Sequence, residues 1–194
     1  MDWWIWVALA GLLGVLVLFS WPGVICPLQR VRGWRALAAR TGLAYRQRRA
    51  LGLPRPGRVT GTYRGRECAL STYRALDVEE RMCLVLSLEN RASGVMSVLW
   101  EQRAAQVLQS QPDGLAKALL AAEGLGQRLS DAAQGIWSKG YHLELSGHLL
   151  RLEQNLPAFC PYGSERYVSG LQALLDVLCD IATAIEQRPG SRVS

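Results

Sequence analysis

From Trp3 to Trp21 the chain runs apolar for nineteen residues without a charge, WWIWVALAGLLGVLVLFSW. A helix of that length covers about 28 Å, close to the hydrocarbon thickness of a bilayer. In lipid every backbone polar group must bond within the segment, so one span means one helix. Trp3, Trp4 and Trp6 gather at one end and Trp21 stands at the other, the places where aromatic side chains meet headgroups. Pro22 and Gly23 follow and stop a helix there. Gly11 and Gly14 would let a neighbouring helix approach, although Gly-x-x-Gly is not the G-x-x-x-G dimer pattern.

After this segment the pattern changes to that of a folded domain. Leu28, Val31, Trp34, Leu37 and Ala38 recur at helical spacing and predict a helix over 28–41, closed by Thr41-Gly42. Alternation begins at Leu43, Tyr45 and Gln47 and gives way to a turn-rich connection around Pro54, Pro56 and Gly57. Val59–Tyr63 and Glu67–Tyr73 read as strands of a hairpin turning on Arg64-Gly65-Arg66. Met82–Glu89 and Val95–Trp100 are two further strands. Gln102–Gln109 reads as a helical extension, followed by helices over Leu115–Ala122 and Leu125–Ala133.

A second hairpin, Tyr141–Leu145 with His148–Glu153, turns on Ser146-Gly147. It places Leu143, Leu145, Leu150 and Leu152 on one face and His142, Glu144, Leu149 and Arg151 on the other. A final helix carries one apolar stripe, Val168, Leu171, Leu174, Leu175, Leu178, Ile181, Ala182 and Ile185, with Ser164 or Ser169 as its cap. The fold class expected is α+β: an N-terminal transmembrane helix plus an antiparallel sheet packed by amphipathic helices. Residues 1–27 form the anchor, 28–187 the domain with its basic juxtamembrane helix, and 188–194 a disordered tail.

Charge gives the span a direction. The net charge of +6 divides unevenly: residues 28–66 hold eleven arginines and no acid, whereas 67–194 hold eleven basic and fifteen acidic residues. Asp2 precedes the span and Arg30, Arg32, Arg35 and Arg40 follow it, so the positive-inside rule keeps the domain in the cytoplasm and the N-terminus outside. A cleaved signal peptide would want a basic start in place of Asp2, and a lipoprotein would want small residues where Val24 and Ile25 precede Cys26. The reading is an uncleaved, single-pass anchor.

Arg30, Arg32, Arg35, Arg40, Arg46, Arg48 and Arg49 then make a basic collar beside the membrane. Anionic headgroups attract each such residue by about 1 kcal/mol near the surface, so anionic lipid is an expected partner. The plainer role is to fix topology and solvate a helix face. Arginines interleave with Trp34, Tyr45, Tyr63 and Tyr73, but no nucleic-acid-binding motif accompanies them and no nucleic-acid partner is expected.

Candidate chemistry is sparse. Five cysteines, Cys26, Cys68, Cys83, Cys160 and Cys179, form no C-x-x-C pair, and an odd count suits small buried thiols in a reducing compartment. His142 and His148 fall on opposite faces of their hairpin and cannot share a metal. No serine occupies a G-x-S-x-G elbow, and Asp77, Glu79 and Glu80 suit a solvated loop. Gly61 to Gly65 is a hairpin, not a phosphate loop leading into a helix. The expectation is no enzyme activity, no cofactor and no metal.

The runs Trp34-Arg35-Ala36-Leu37-Ala38 and Thr41-Gly42-Leu43, the turn Gly61-Thr62-Tyr63-Arg64-Gly65-Arg66 and the hairpin of residues 143–153 carry a resemblance. Together they resemble a loose group of uncharacterised bacterial membrane-anchored proteins with a G-x-Y-R-G-R turn. The resemblance covers about residues 34–187 and implies the fold and the anchor, without an activity. The functional expectation is an accessory or assembly protein of a membrane complex, acting on a membrane-protein partner by protein–protein contact. Two alternatives stand beside it: a peripheral sensor of anionic lipid, and an enzyme whose site is assembled from scattered residues.

Overall fold

The computed structural model describes residues 3–20, 25–50, 53–74, 80–89, 94–101, 104–136, 140–157 and 161–187. The architecture is α+β: the described residues form eight antiparallel strands in one sheet and five α-helices. Helix α1 is Trp3–Ser20 and α2 is Cys26–Thr41. The strands are β1 (Ala44–Ala50), β2 (Leu53–Tyr63), β3 (Arg66–Arg74), β4 (Glu80–Ser87), β5 (Val95–Glu101) and β6 (Ala104–Gln111). Helices α3 (Leu115–Ala121) and α4 (Leu125–Gly135) follow, then β7 (Gly140–Ser146), β8 (Leu149–Asn155) and α5 (Glu165–Glu186).

The order across the sheet is β1-β2-β3-β4-β8-β7-β5-β6, so the late β7–β8 hairpin lies between β4 and β5. One face is the core. Leu70, Leu84, Leu152, Leu143 and Val98 share a cross-sheet row on it, and α2, α3, α4 and α5 contribute Trp34, Leu119, Leu129 and Leu174, each fully buried. Alternation of buried and half-buried positions along β5, β7 and β8 is the mark of a sheet covered on one side.

Helix α5 is apolar and long enough to cross a bilayer, and among the described residues it is the helix that meets both conditions. It is nevertheless the centre of the core: 61% of its apolar window is buried, and its outer face carries Asp176 and Asp180. Ser164 starts it by accepting a hydrogen bond from the Tyr167 N–H. Helix α1 is its opposite. Every side chain described on it, Trp3 through Leu16, is exposed, with Trp4 at 65% and Leu12 at 61%. That described apolar run is shorter than the helix itself, which continues to Ser20.

Four expectations change. Residues 104–111 form β6 rather than a helix; Ala, Gln and Leu favour helix locally, but pairing along β5 prevails. The prolines at 54 and 56 lie inside β2 rather than in a connection. Strand β3 pairs with β2 only as far as Arg58, so these prolines have a partner strand on one side alone and their missing N–H costs no ladder bond there. The second hairpin turns on Gly147-His148, one residue later than expected, which sets His142 opposite Glu153 instead of Arg151. Leu28, predicted on the apolar stripe, is exposed, and Cys26 and Pro27 are buried in its place.

Candidate functional site

The basic collar divides into two groups. Arg30 is 4% exposed: its guanidinium donates to Glu80 at 2.6 Å and lies 4.6 Å from the centroid of the Tyr162 ring. This corrects its place in the collar, since it is spent inside the domain and cannot meet lipid. Arg40 pairs with Glu165, and this bond holds the Glu165 carboxyl below its ordinary range. Arg35 donates to Gln47 and lies 5.7 Å from the Tyr45 ring. Arg32, Arg46 and Arg48 are exposed. The side chain of Arg49 lies outside the described residues, as do Asp2, Trp21, Cys160 and the 188–194 tail. Trp3, Trp4 and Trp6 all sit exposed on α1, with the Trp3 and Trp4 rings 4.0 Å apart.

The G-x-Y-R-G-R turn is a clasp between the β2–β3 hairpin and α5. Arg64 and Gly65 make the two-residue turn, both at positive φ (50° and 82°), which a glycine at the second position accommodates without cost. Tyr63 donates to Asp176 at 2.9 Å, and Arg64 pairs with Asp180 at 2.9 Å. Arg128 on α4 reaches the other oxygen of Asp180 at 2.6 Å. Arg66 grips Glu186 with two bonds. Tyr63, Arg64 and Arg66 of the motif are thereby engaged in holding the fold.

The face of the sheet away from the helices is the second candidate. One row across it reads Arg46, Arg58, Ser71, Cys83, Glu153, His142, Leu99 and Gln106. The next reads Ala44, Thr60, Ala69, Val85, Arg151, Glu144, Ser97 and Gln109. Two shallow depressions flank the centre. One of about 500 Å³ is lined by Arg58, Thr60, Thr62, Glu67 and Leu149. The other, of about 330 Å³, is lined by Arg81, Leu99, Leu108, His142 and Glu153.

Between them, Arg151 pairs with Glu153 and its guanidinium lies 5.9 Å from the Tyr73 ring. His142 Nε2 and Ser97 Oγ are hydrogen-bonded at 2.7 Å. The residues that build this patch come from β3, β4, β5, β7 and β8, so only the strand order brings them together.

The chemistry of the patch is that of hydrogen bonding. A serine–histidine pair works as a nucleophile when a carboxylate orients the ring and N–H donors await the oxyanion. Among the described residues no carboxylate is bonded to His142, and Ser97 lies inside the sheet, opposite Gln109 on β6 and Glu144 on β7. Cys83 is no better placed. Burial pushes its thiol up, and the Arg151 guanidinium beside it does not reverse that, so the reactive thiolate is scarce at neutral pH. Among the described residues no three His, Cys, Asp or Glu side chains converge as a metal site would require.

No family model and no curated protein matches the chain. Among solved structures, the crystal structure of the mycobacterial trehalose monomycolate transport factor A, TtfA, is similar to it at a TM-score of 0.45 and 10% identity. That similarity covers 77% of this chain and 94% of the other.

Proposed function

We propose that this chain is a single-span membrane protein whose α+β domain works by binding a membrane-protein partner rather than by catalysis. The observation that carries the reading is the contrast between α1 and the rest. Ten large apolar side chains on α1 are 47–65% exposed, while α2 to α5 and the sheet close a core of their own. Exposed apolar surface on that scale is a strong liability in water and is at home in lipid. The arginines that follow α1 support a cytoplasmic position for the domain, by the positive-inside rule.

A domain held at a membrane, with a broad half-polar sheet face, shallow depressions and no activated nucleophile among the described residues, suits an accessory or assembly role. The open face is the contact surface on this reading, and the G-x-Y-R-G-R turn that marks the resemblance is a structural signature. The test is photo-crosslinking in intact cells from Val85 or Leu99 on the open face, with Lys117 on the helical layer as control. A defined membrane-protein adduct from the open-face positions supports the reading. Adducts absent from those positions, or equal at position 117, contradict it.

A further inference from the structure

We propose that the β1–β2 hairpin is a phosphate-binding edge that rests on anionic lipid headgroups, a proposal that relies on α1 being the membrane anchor. Arg46 on β1 lies directly opposite Arg58 on β2, with Arg48 two residues further along β1. Like charges facing each other across an antiparallel pair repel, and the 28–66 stretch contains no acid to separate them. Arg46, Arg48 and Arg58 are exposed, and among the described residues none of them has an acidic partner. Arg30, Arg40, Arg64 and Arg66 by contrast each hold a carboxylate. The fold has satisfied one set of arginines and left another aligned and open.

Geometry carries that open set toward the bilayer. Strand β1 leaves the C-terminal end of α2 and doubles back along it, since Gln47 meets Arg35 and Tyr45 lies under the same guanidinium. From Gln47 to Ala50 a strand advances about 10 Å, which is the rise of α2 from Arg35 back to about Leu28. The Ala50 end of β1 therefore stands level with the first turn of α2. Residues 21–25 are all that separate that turn from α1, a reach of about 22 Å at most. Wherever α1 enters lipid, the Ala50 end of β1 is held within that reach of the headgroups. Guanidinium binds phosphate oxygens in a two-pronged fashion, and a phosphate seated between opposed arginines removes their repulsion.

The test is hydrogen exchange of residues 44–50 in the full chain, reconstituted in lipid nanodiscs. Discs containing about one-third phosphatidylglycerol are compared with discs of phosphatidylcholine alone. The anionic lipid should slow exchange at least about fivefold, and about 0.5 M NaCl should abolish the difference. R46Q/R48Q/R58Q should show no lipid dependence, while R46K/R48K/R58K, which keeps the charge, should recover most of it. Equal exchange in both lipids, or a difference that survives the glutamine variant, overturns the proposal. So does protection produced by inorganic phosphate over phosphatidylcholine discs, which would mark a soluble anion site. A chain that fails to remain with the discs on flotation refutes the anchor itself, a distinct outcome from retention without lipid-dependent protection.

Discussion

Arg66 and Glu186 form a two-pronged ion pair at 2.5 and 2.8 Å, with side chains only 7% and 11% exposed. The pair joins the two-residue β2–β3 turn to the last turn of the core helix, and Glu186 also accepts the Glu89 N–H at 2.6 Å. Breaking a buried pair from one side leaves a charge without compensation. Glu186→Leu should therefore destabilise the domain by about 3–5 kcal/mol, read as a lowered urea midpoint, and Arg66→Lys by less because the charge is retained. A loss below about 1 kcal/mol for Glu186→Leu would mean the clasp holds little.

The opposed arginines on the hairpin predict the reverse sign. Arg46→Gln or Arg58→Gln, measured in neutral detergent without anionic lipid, should stabilise the domain by about 0.2–1 kcal/mol. Added anionic lipid should shrink that gain, since the wild-type pair then has phosphate to share. Destabilisation by both variants would show that these side chains serve the fold.

Burial pushes the Cys68 thiol up to about 11 from an ordinary 9.0. The folded state thus prefers the protonated thiol, and the unfolded state releases its proton first as pH rises. That contribution to stability is complete below pH 9 and is lost between about pH 9 and 11. Cys68→Ala should flatten that part of the stability–pH curve in chemical denaturation. Native Cys68 should also resist iodoacetamide at pH 8 about a hundredfold better than in urea, by mass spectrometry.

Gly33 is where α2 touches the loop before α5. A Cβ there would fall 2.0 Å from the Tyr162 carbonyl oxygen, which is backbone and cannot step aside. Gly33→Ala should cost about 1–3 kcal/mol and lower the melting temperature. An unchanged melting temperature would imply that this helix packs further out.

Much of this was legible in the chain. The apolar stripe of α5 and the leucine faces of β7 and β8 follow from period alone, because a pattern of period 3.6 or 2 fixes a buried face wherever the neighbours lie. Partners are another matter. Setting the second hairpin's turn one residue early shifts the pairing by two, which leaves Leu143 and Leu152 facing the core but moves His142 from Arg151 to Glu153. Strand order is the other hidden quantity. Ser97 and His142 meet because β7–β8 inserts between β4 and β5, a choice made by the whole core. The arginine stretch read as one feature, yet Arg30 and Arg46 have opposite fates, explained by the positions of Glu80 on β4 and Tyr162 before α5.

The measurement closest to the central claim is alkaline carbonate extraction of cell membranes carrying the full chain, beside a variant with Leu9, Leu12 and Leu16 replaced by lysine. The account predicts that the unaltered chain stays in the membrane pellet at high pH and the variant is released with its domain intact by limited proteolysis. Release of the unaltered chain into the supernatant would contradict it.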